Sequence, residues 1–498
     1  MKRPDAVRPT AFAVHPRERR ALKLGAGPRF RLPDLPGERL ASRRYTDICL
    51  DTSDHRLAAA DVTLRRRVEG RRGRWQLELP RALVEQPSAG PARVRGGGAG
   101  ALDAPPADLV ALTVAAVRGA ILAPVVTLRS REEGVLVSDA RGPVARVVLA
   151  SVQAREGGRA VGRFREIAIE SVGGDEAALA DLERMLRSAG AIDADGRPKL
   201  LRALGVDAAP AAPLSVATPP AERLRAAVEE QFRLIVAHDP LTRLGTDPEE
   251  LHQMRVACRR LRALLRAARP MLDPAWAEPL RAELAWLGDA LGGVRDLDVL
   301  REHFGAEAAR LDQIDTPAGA RLIRVLEAER AQVRSDLFVS LRSDRYLQLL
   351  LALEDAARKA HVTDAVVSLE AMARAAFKTL RRAARRLSDE PTDEALHDLR
   401  IKTKRARYAA ELAAPTVGKP ARRFVAKAKS FQDALGEHQD AVVAQARVRE
   451  LAAQARGAAT AFVAGRLLER QIARRAEILG QIPRRWRKLE KRGTRAWR

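Results

Sequence analysis

Two distant segments of the chain carry the same chemistry-bearing pattern: a histidine three residues before an arginine, then a run of cations. The first is His252-Gln253-Met254-Arg255, continuing through Arg259, Arg260, Arg262, Arg266 and Arg269. The second is His397-Asp398-Leu399-Arg400, continuing through Lys402, Lys404, Arg405 and Arg407. At about 100° per residue, Arg259, Arg262, Arg266 and Arg269 all fall within about 40° of Arg255, and His252 lies about 60° away. The other side holds Ala257, Leu261, Leu264 and Ala268, so the spacing predicts an amphipathic helix with a cationic polar face. Arg400, Lys404 and Arg407 repeat that stripe. Arg374, Lys378, Arg381 and Arg385, with Arg382 beside them, make a third, and Lys419, Arg423 and Lys427 a fourth. Like charges at i,i+4 cost a few tenths of a kcal/mol per pair. A solvated face explains any one stripe; four stripes tied to duplicated histidines imply an anion against them.

The residue types narrow that anion. Each histidine is paired with an arginine and not with a second metal ligand, so no zinc site is expected. Asp289, Asp296, Asp433 and Asp440 are candidates to neutralise a few arginines, but four aspartates cannot neutralise all the stripes. Readers of single-stranded nucleic acid interleave aromatic rings with cations; here Tyr408 stands nearly alone. A cationic groove without stacking groups suits a ligand made wholly of phosphate, gripped by arginine forks and lysine point charges.

The elements that must position these residues are also legible. Trp286 to Asp296 matches Ser430 to Asp440 at an offset of 144, against 145 for the histidine motifs. Two motif pairs at one spacing predict two tandem, similar helical bundles, about 222–355 and 365–498, related by a pseudo-two-fold axis. Helical periodicity from Glu222 to Trp497 suggests roughly nine to eleven helices. Residues 207–221 are rich in proline and alanine and read as a linker. Before it, residues 13–206 read as antiparallel β-structure. The expected strands are Arg43–Leu50, Val62–Val68, Arg74–Leu79, Val125–Ser130, Gly134–Ser138, Pro143–Leu149 and Arg163–Glu170, with a helix over Asp175–Ala189 and a Gly/Pro-rich excursion at 84–108. The fold class is thus α+β multidomain: an antiparallel β-barrel followed by an all-α domain.

Bulk composition agrees with an anionic partner. The 498 residues carry a net charge of +25. The excess is +10 over residues 1–215 and +15 over the rest, so it is no tail effect. Such a chain seeks nucleic acid, an acidic membrane or polymeric phosphate. Two cysteines, Cys49 and Cys258, exclude a disulfide framework. No apolar leader and no long apolar run is visible, so a cytoplasmic location without membrane partners is expected.

His252 to Arg262, Arg295 to Asp298, His397 to Tyr408 and Asp433 to Asp440 resemble CHAD domains, the conserved-histidine α-helical domains. The resemblance covers about 222–497 and implies two tandem four-helix bundles with pseudo-two-fold symmetry. It implies binding of inorganic polyphosphate by basic helices and association with polyphosphate granules and their proteins, with nucleic acid a less favoured partner. It makes His252, Arg255, Arg259, Arg260, Arg262, Arg266, Lys378, Arg381, Arg382, Arg385, His397, Arg400, Lys404, Arg407, Arg423, Lys427 and His438 the expected polyphosphate contacts.

Leu50-Asp51-Thr52, Thr63 to Arg67, Trp75 to Pro80, Thr127 to Arg131, Phe164 to Glu170 and Pro198 to Leu200 resemble a CYTH domain, over about 13–206. That family forms a barrel-shaped tunnel for triphosphate, with acidic residues holding a divalent metal. Lys23, Arg65, Arg67, Arg129, Arg131 and Lys199 match its phosphate side. The metal side departs: with Lys23 as the motif lysine, the glutamate positions are Arg19 and Ala21, the middle late-strand acid is Ala168, and a strand lysine is Glu78. Mg²⁺ needs hard oxygen ligands, so the expectation is a tunnel that binds phosphate without cleaving it, with no cofactor and no metal. A metal-dependent triphosphatase is the enzymatic alternative.

Overall fold

The computed structural model describes residues 13–16, 21–80, 82–87, 104–206, 215, 217–310, 312–359, 361–363, 368–454 and 457–497. The chain divides into two compact units, Met1–Ala211 and Ala212–Arg498. Most of the expected linker, most of the 84–108 excursion and Arg19 lie outside the described residues.

The first unit is one antiparallel sheet. Its strands are β1 (Ala13–Pro16), β2 (Ala21–Ala26), β3 (Gly37–Asp51), β4 (Thr63–Glu69), β5 (Arg72–Glu78), β6 (Ala82–Pro87), β7 (Ala123–Asp139), β8 (Gly142–Glu156), β9 (Arg159–Ser171) and β10 (Ala191–Asp193). Helices α1 (Arg56–Ala59), α2 (Ala107–Ala111), α3 (Val114–Val117), α4 (Glu176–Ser188) and α5 (Lys199–Leu204) accompany it. The strand order is β1-β6-β5-β4-β3-β7-β8-β9-β2-β10. Among the described residues the two edge strands do not pair, so the sheet is open and the expected barrel holds only loosely.

Alternation along the strands gives the sheet two differently filled faces. Val135, Val147, Leu149, Ile167 and Ile169 pack with Leu179, Leu182 and Leu186 of α4. Cys49, Val126, Leu128, Val152 and Ala154 pack with Leu200 and Leu201 of α5. The expected helix begins as read, with Asp175 capping α4 by accepting from the Ala178 amide at 2.9 Å. The two expected strands Val125–Ser130 and Gly134–Ser138 are one continuous strand, β7. Gly134 does not break it: a Cβ there would lie 2.5 Å from the Val147 carbonyl oxygen, so glycine permits close approach of β8.

The second unit is helical: α6 (Pro220–Leu244), α7 (Pro248–Ala267), α8 (Pro274–Ala308), α9 (Thr316–Leu341), α10 (Asp344–Arg358), α11 (Leu369–Ala384), α12 (Asp393–Val417), α13 (Lys419–Gln454) and α14 (Ala458–Ala496). The repeats align α6 with α11, α7 with α12, and α8 with α13. The fourth helix differs. In the first repeat Ser343 caps a new helix, accepting from the Tyr346 amide at 3.3 Å, so α9 and α10 are separate. In the second repeat the counterpart runs unbroken as α14. The bundles also share a core. Leu297, Leu300 and Phe304 of α8 and Leu322 and Leu326 of α9 pack with Val448 and Leu451 of α13 and Val463 and Leu467 of α14. Long helices thus carry both repeats into one hydrophobic cluster, while α7 and α12 make a separate contact with each other.

Candidate anion site between the repeats

Both basic helices are started by the same local chemistry. Asp247 caps α7, Thr392 caps α12, and the first turns carry Glu249 with Glu250 and Asp393 with Glu394. Side-chain oxygens satisfy free amides there, and the acids suit the positive helix end. The apolar sides of α7 (Met254, Ala257, Leu261, Leu264, Leu265) and α12 (Leu396, Leu399, Ala406, Ala410) are buried. That burial fixes both helices and leaves their cationic stripes at the contact between them.

Across this contact, Arg260 donates to Glu411 Oε2 at 2.7 Å, and Arg407 Nε lies 3.4 Å from Glu411 Oε1. One carboxylate on α12 thus serves arginines from both repeats. Arg255 donates to Asp296 Oδ1 at 2.8 Å. A Cβ on Gly292 would sit 3.4 Å from the Arg255 guanidinium, and one on Gly436 3.2 Å from that of Arg400. The duplicated glycines therefore seat the equivalent guanidinium groups of the two repeats on α8 and α13. Sequence reasoning missed this role, although each glycine lies inside a duplicated motif.

The next pair of related positions, Arg259 and Lys404, is different. Both are half-buried, and among the described residues neither has a carboxylate partner. Burial, then Arg400, Arg259, Arg255 and Arg407, push the Lys404 ammonium down to about 7. Burial also lowers the Arg259 pKa; Tyr408 opposes this, and Arg255, Arg400 and Arg407 reinforce it. Arg400 is lowered by burial and by Arg255, against the opposing fields of Asp440 and Asp433. The Nε atoms of Arg259 and Arg400 are buried without a hydrogen-bond partner. Arg262 and Arg266 continue the stripe in exposed positions. Burial lowers Arg266, and Arg405, Arg281 and Arg262 lower it further.

The motif histidines border this seam. His397 Nδ1 lies 3.2 Å from Gln439 Oε1. His252 is lowered chiefly by burial and then by Arg295, and its Nδ1 has no hydrogen-bond partner. Arg295 and Gln439 are the equivalent residues just before Asp296 and Asp440, so each histidine faces the same place on the following helix.

Several expected contacts lie elsewhere. His438 is buried, with Nε2 3.3 Å from Asp393 Oδ1 and 3.4 Å from Arg475 Nε. It ties α12, α13 and α14 together and is closed to a surface ligand. Lys378 and Arg382 are exposed on α11, Arg381 lies over the Phe377 ring, and Arg385 donates to Glu490 of α14 at 3.3 Å. This stripe belongs to the α11–α14 side. Lys427 lines a separate groove of about 370 Å³ with Arg484, Arg485 and Lys488 of α14. Arg423 is exposed one turn earlier on α13. About 100° per residue turns both away from Gly436 and hence from the seam.

In the first unit the strand register separates the six expected tunnel cations. Arg67 and Arg65 pair opposite Asp47 and Cys49 of β3 and share their face, whereas Arg129 and Arg131 pair opposite Thr46 and Arg44 and point to the other. The first group is neutralised. Arg67 makes two 2.7 Å hydrogen bonds to Asp47, Arg65 donates to Gln76 at 2.8 Å and Glu78 at 2.6 Å, and Lys199 Nζ lies 2.7 Å from Glu166. Burial works against the Arg65 charge, but Glu78 and Asp47 outweigh it and raise its pKa. Burial works against the Glu166 charge, but Lys199 and Arg202 outweigh it and hold the carboxyl low. Lys23 is exposed on β2. Among the described residues no group of three or more His, Cys, Asp or Glu side chains is arranged to hold a metal ion.

Both thiols, Cys49 and Cys258, are buried and pushed up to about 12 by burial, so neither is a ready nucleophile. No helix among the described residues is long and apolar enough to cross a membrane.

Residues 226–449 match the CHAD domain family model. An uncharacterized Mycobacterium tuberculosis protein, Rv2226, is 30% identical over 490 residues, covering 91% of each chain. Among solved structures, PptA from Streptomyces chartreusis is 24% identical, covering 54% of this chain and all of that one, with a TM-score of 0.47. A CHAD domain from the plant Ricinus communis is 29% identical, covering 58% and 96%, with a TM-score of 0.43. With this family match falling on the two repeats that form the seam, the chain belongs to the CHAD-domain family.

Proposed function

We propose that the chain binds inorganic polyphosphate along the seam between α7 and α12. Arg255, Arg259, Arg262 and Arg266 from one repeat and Arg400, Lys404 and Arg407 from the other supply the contacts. The observation that carries this reading is the pair Arg259 and Lys404: equivalent, half-buried, and held among other cations without a carboxylate. A fold gains nothing from that arrangement, and a bound polyanion relieves it. His252 and His397 position the stripes at their N-terminal ends. Association with polyphosphate granules follows as the cellular form of the same reading.

Nucleic acid is disfavoured because the ring nearest the stripes, Tyr408, is buried and already covered by the Arg407 guanidinium at 4.5 Å. The deciding experiment is competition between long-chain polyphosphate and single-stranded DNA for the full chain at matched salt. Polyphosphate is expected to win, with log affinity falling against log salt by about 0.7 per phosphate engaged. Preference for DNA, or a negligible salt slope, overturns the reading.

A further inference from the structure

We propose that Lys404 is a site of covalent acylation by acyl phosphates, and that this modification weakens the seam. The sequence isolates the residue first. At the 145-residue offset the cations of α7 and α12 pair as Arg255 with Arg400, Arg259 with Lys404, Arg260 with Arg405 and Arg262 with Arg407. Every one of these positions is arginine except Lys404. A guanidinium keeps its proton in a protein and is no nucleophile, whereas an amine that loses its proton is one. The equivalent slot of the first repeat holds Arg259, so neither the fold nor anion binding calls for an amine there.

The surroundings favour the free amine. Lys404 is half-buried on α12, one turn after Arg400 and one turn before Arg407, and Arg259 and Arg255 of α7 act on it from across the contact. The nearby acids are engaged by arginines. Glu411 accepts from Arg260 at 2.7 Å and lies 3.4 Å from Arg407, Asp296 accepts from Arg255 at 2.8 Å, and Asp433 and Asp440 of α13 act on Arg400. Burial and four like charges therefore both disfavour the ammonium, whose pKa falls to about 7. At neutral pH about half of Lys404 is free amine, against roughly one part in 2500 for an ordinary lysine. Lys402, two residues earlier, is the contrast: it is paired with Asp398 on its own helix.

The same arginines select the reagent. The Nε atoms of Arg259 and Arg400 are buried without a hydrogen-bond partner, and guanidinium groups match phosphoryl oxygens in pairs. A small acyl phosphate in the seam places its anionic phosphoryl group among these arginines and its acyl carbon within reach of Lys404. Nζ attacks that carbon and a C–N bond forms. The bond from the acyl carbon to the bridging oxygen breaks, and inorganic phosphate departs with the proton shed by nitrogen. The arginines stabilise the charge that develops on the leaving phosphate. The product is a neutral amide, so one of the two unpaired cations of the seam is lost. Acylation thus rests on the seam being a phosphate site, as proposed above, but needs no polymer.

The test incubates the full chain with acetyl phosphate, and separately with S-acetyl-N-acetylcysteamine, a neutral acyl donor. Mass spectrometry quantifies acetylation at each lysine. At pH 7.5 acetyl phosphate should modify Lys404 at least about tenfold faster than Lys402 or the exposed Lys429. The rate at Lys404 should level off above about pH 8, while the other two climb towards about pH 10. The preference for Lys404 should be at least about fivefold greater with acetyl phosphate than with the neutral donor, and Arg259→Ala should erase that difference. Lys404→Gln, which mimics the neutral amide, should bind long-chain polyphosphate about tenfold more weakly. No preference for Lys404, or a pH profile parallel to that of Lys402, overturns the site. Equal preference with both donors overturns the acyl phosphate assignment, and unchanged polyphosphate affinity in Lys404→Gln overturns the weakening. Acylation at Lys404 in a chain that fails to bind polyphosphate sinks the polymer reading alone; binding without preferential acylation sinks this proposal alone.

Discussion

The α7–α12 seam and the Arg65–Arg67 face of the sheet are both rich in cations, yet they are electrostatic opposites. On the sheet face Asp47, Glu78 and Glu166 engage Arg67, Arg65 and Lys199. In the seam Glu411 and Asp296 neutralise the margins, while Arg259 and Lys404 are left facing other cations. The difference teaches that cation content does not mark an anion site; the missing counter-ion does. A buried charge with a fixed partner belongs to the fold, and one without a partner waits for a ligand.

The comparison is broken most forcefully on the sheet side. Asp47→Asn should lower stability by about 3–5 kcal/mol in denaturant unfolding, because it leaves Arg67 and Arg65 with a weakened counter-charge in a buried setting; polyphosphate affinity should stay within twofold. The seam should respond in the opposite sense. Arg259→Ala with Lys404→Ala should weaken long-chain polyphosphate about 100-fold, from two charge-assisted contacts at about 1.5 kcal/mol each, while denaturation shows stability unchanged or higher.

Proton linkage sharpens the contrast. The ammonium of Lys404 sits near 7 in the free protein, and a bound polyanion raises it. Affinity should therefore be flat below about pH 7 and fall by up to tenfold per pH unit above it, with proton uptake on binding at pH 8.5. Calorimetry in two buffers of different ionisation enthalpy measures that uptake, and Lys404→Arg should abolish it. A lysine pKa lowered by folding also means that the free protein gains stability from this group as pH rises from about 7 towards the ordinary lysine value. The smallest effect is expected for Gly436→Ala, whose Cβ would press on the Arg400 guanidinium at 3.2 Å. Affinity should fall about threefold to fivefold while the helix gains up to about 1 kcal/mol in propensity.

Much of the scaffold was readable because its signals are local. The stripe on α7 follows from residues within a few turns of one another, and the repeat offset from short motifs matched along the chain. The break at Gly134 did not occur, because a strand's continuity depended on contact with β8. His438 looked like a ligand by its motif and is a buried tie by its neighbours Asp393 and Arg475. The stripes on α11 and α13 have the same sequence character as that on α12, but they face α14.

By itself, the sequence determined that a basic, duplicated helical half follows an antiparallel β half, since amphipathic period and motif spacing are properties of short stretches. Tertiary structure alone decided which stripes meet and which cations go unpaired. Glu411 reaches Arg260 across 151 residues of chain, and Arg129 is parted from Arg67 by the pleat of a sheet. Coulombic energy depends on distance in space and on desolvation, and neither quantity can be read along the chain.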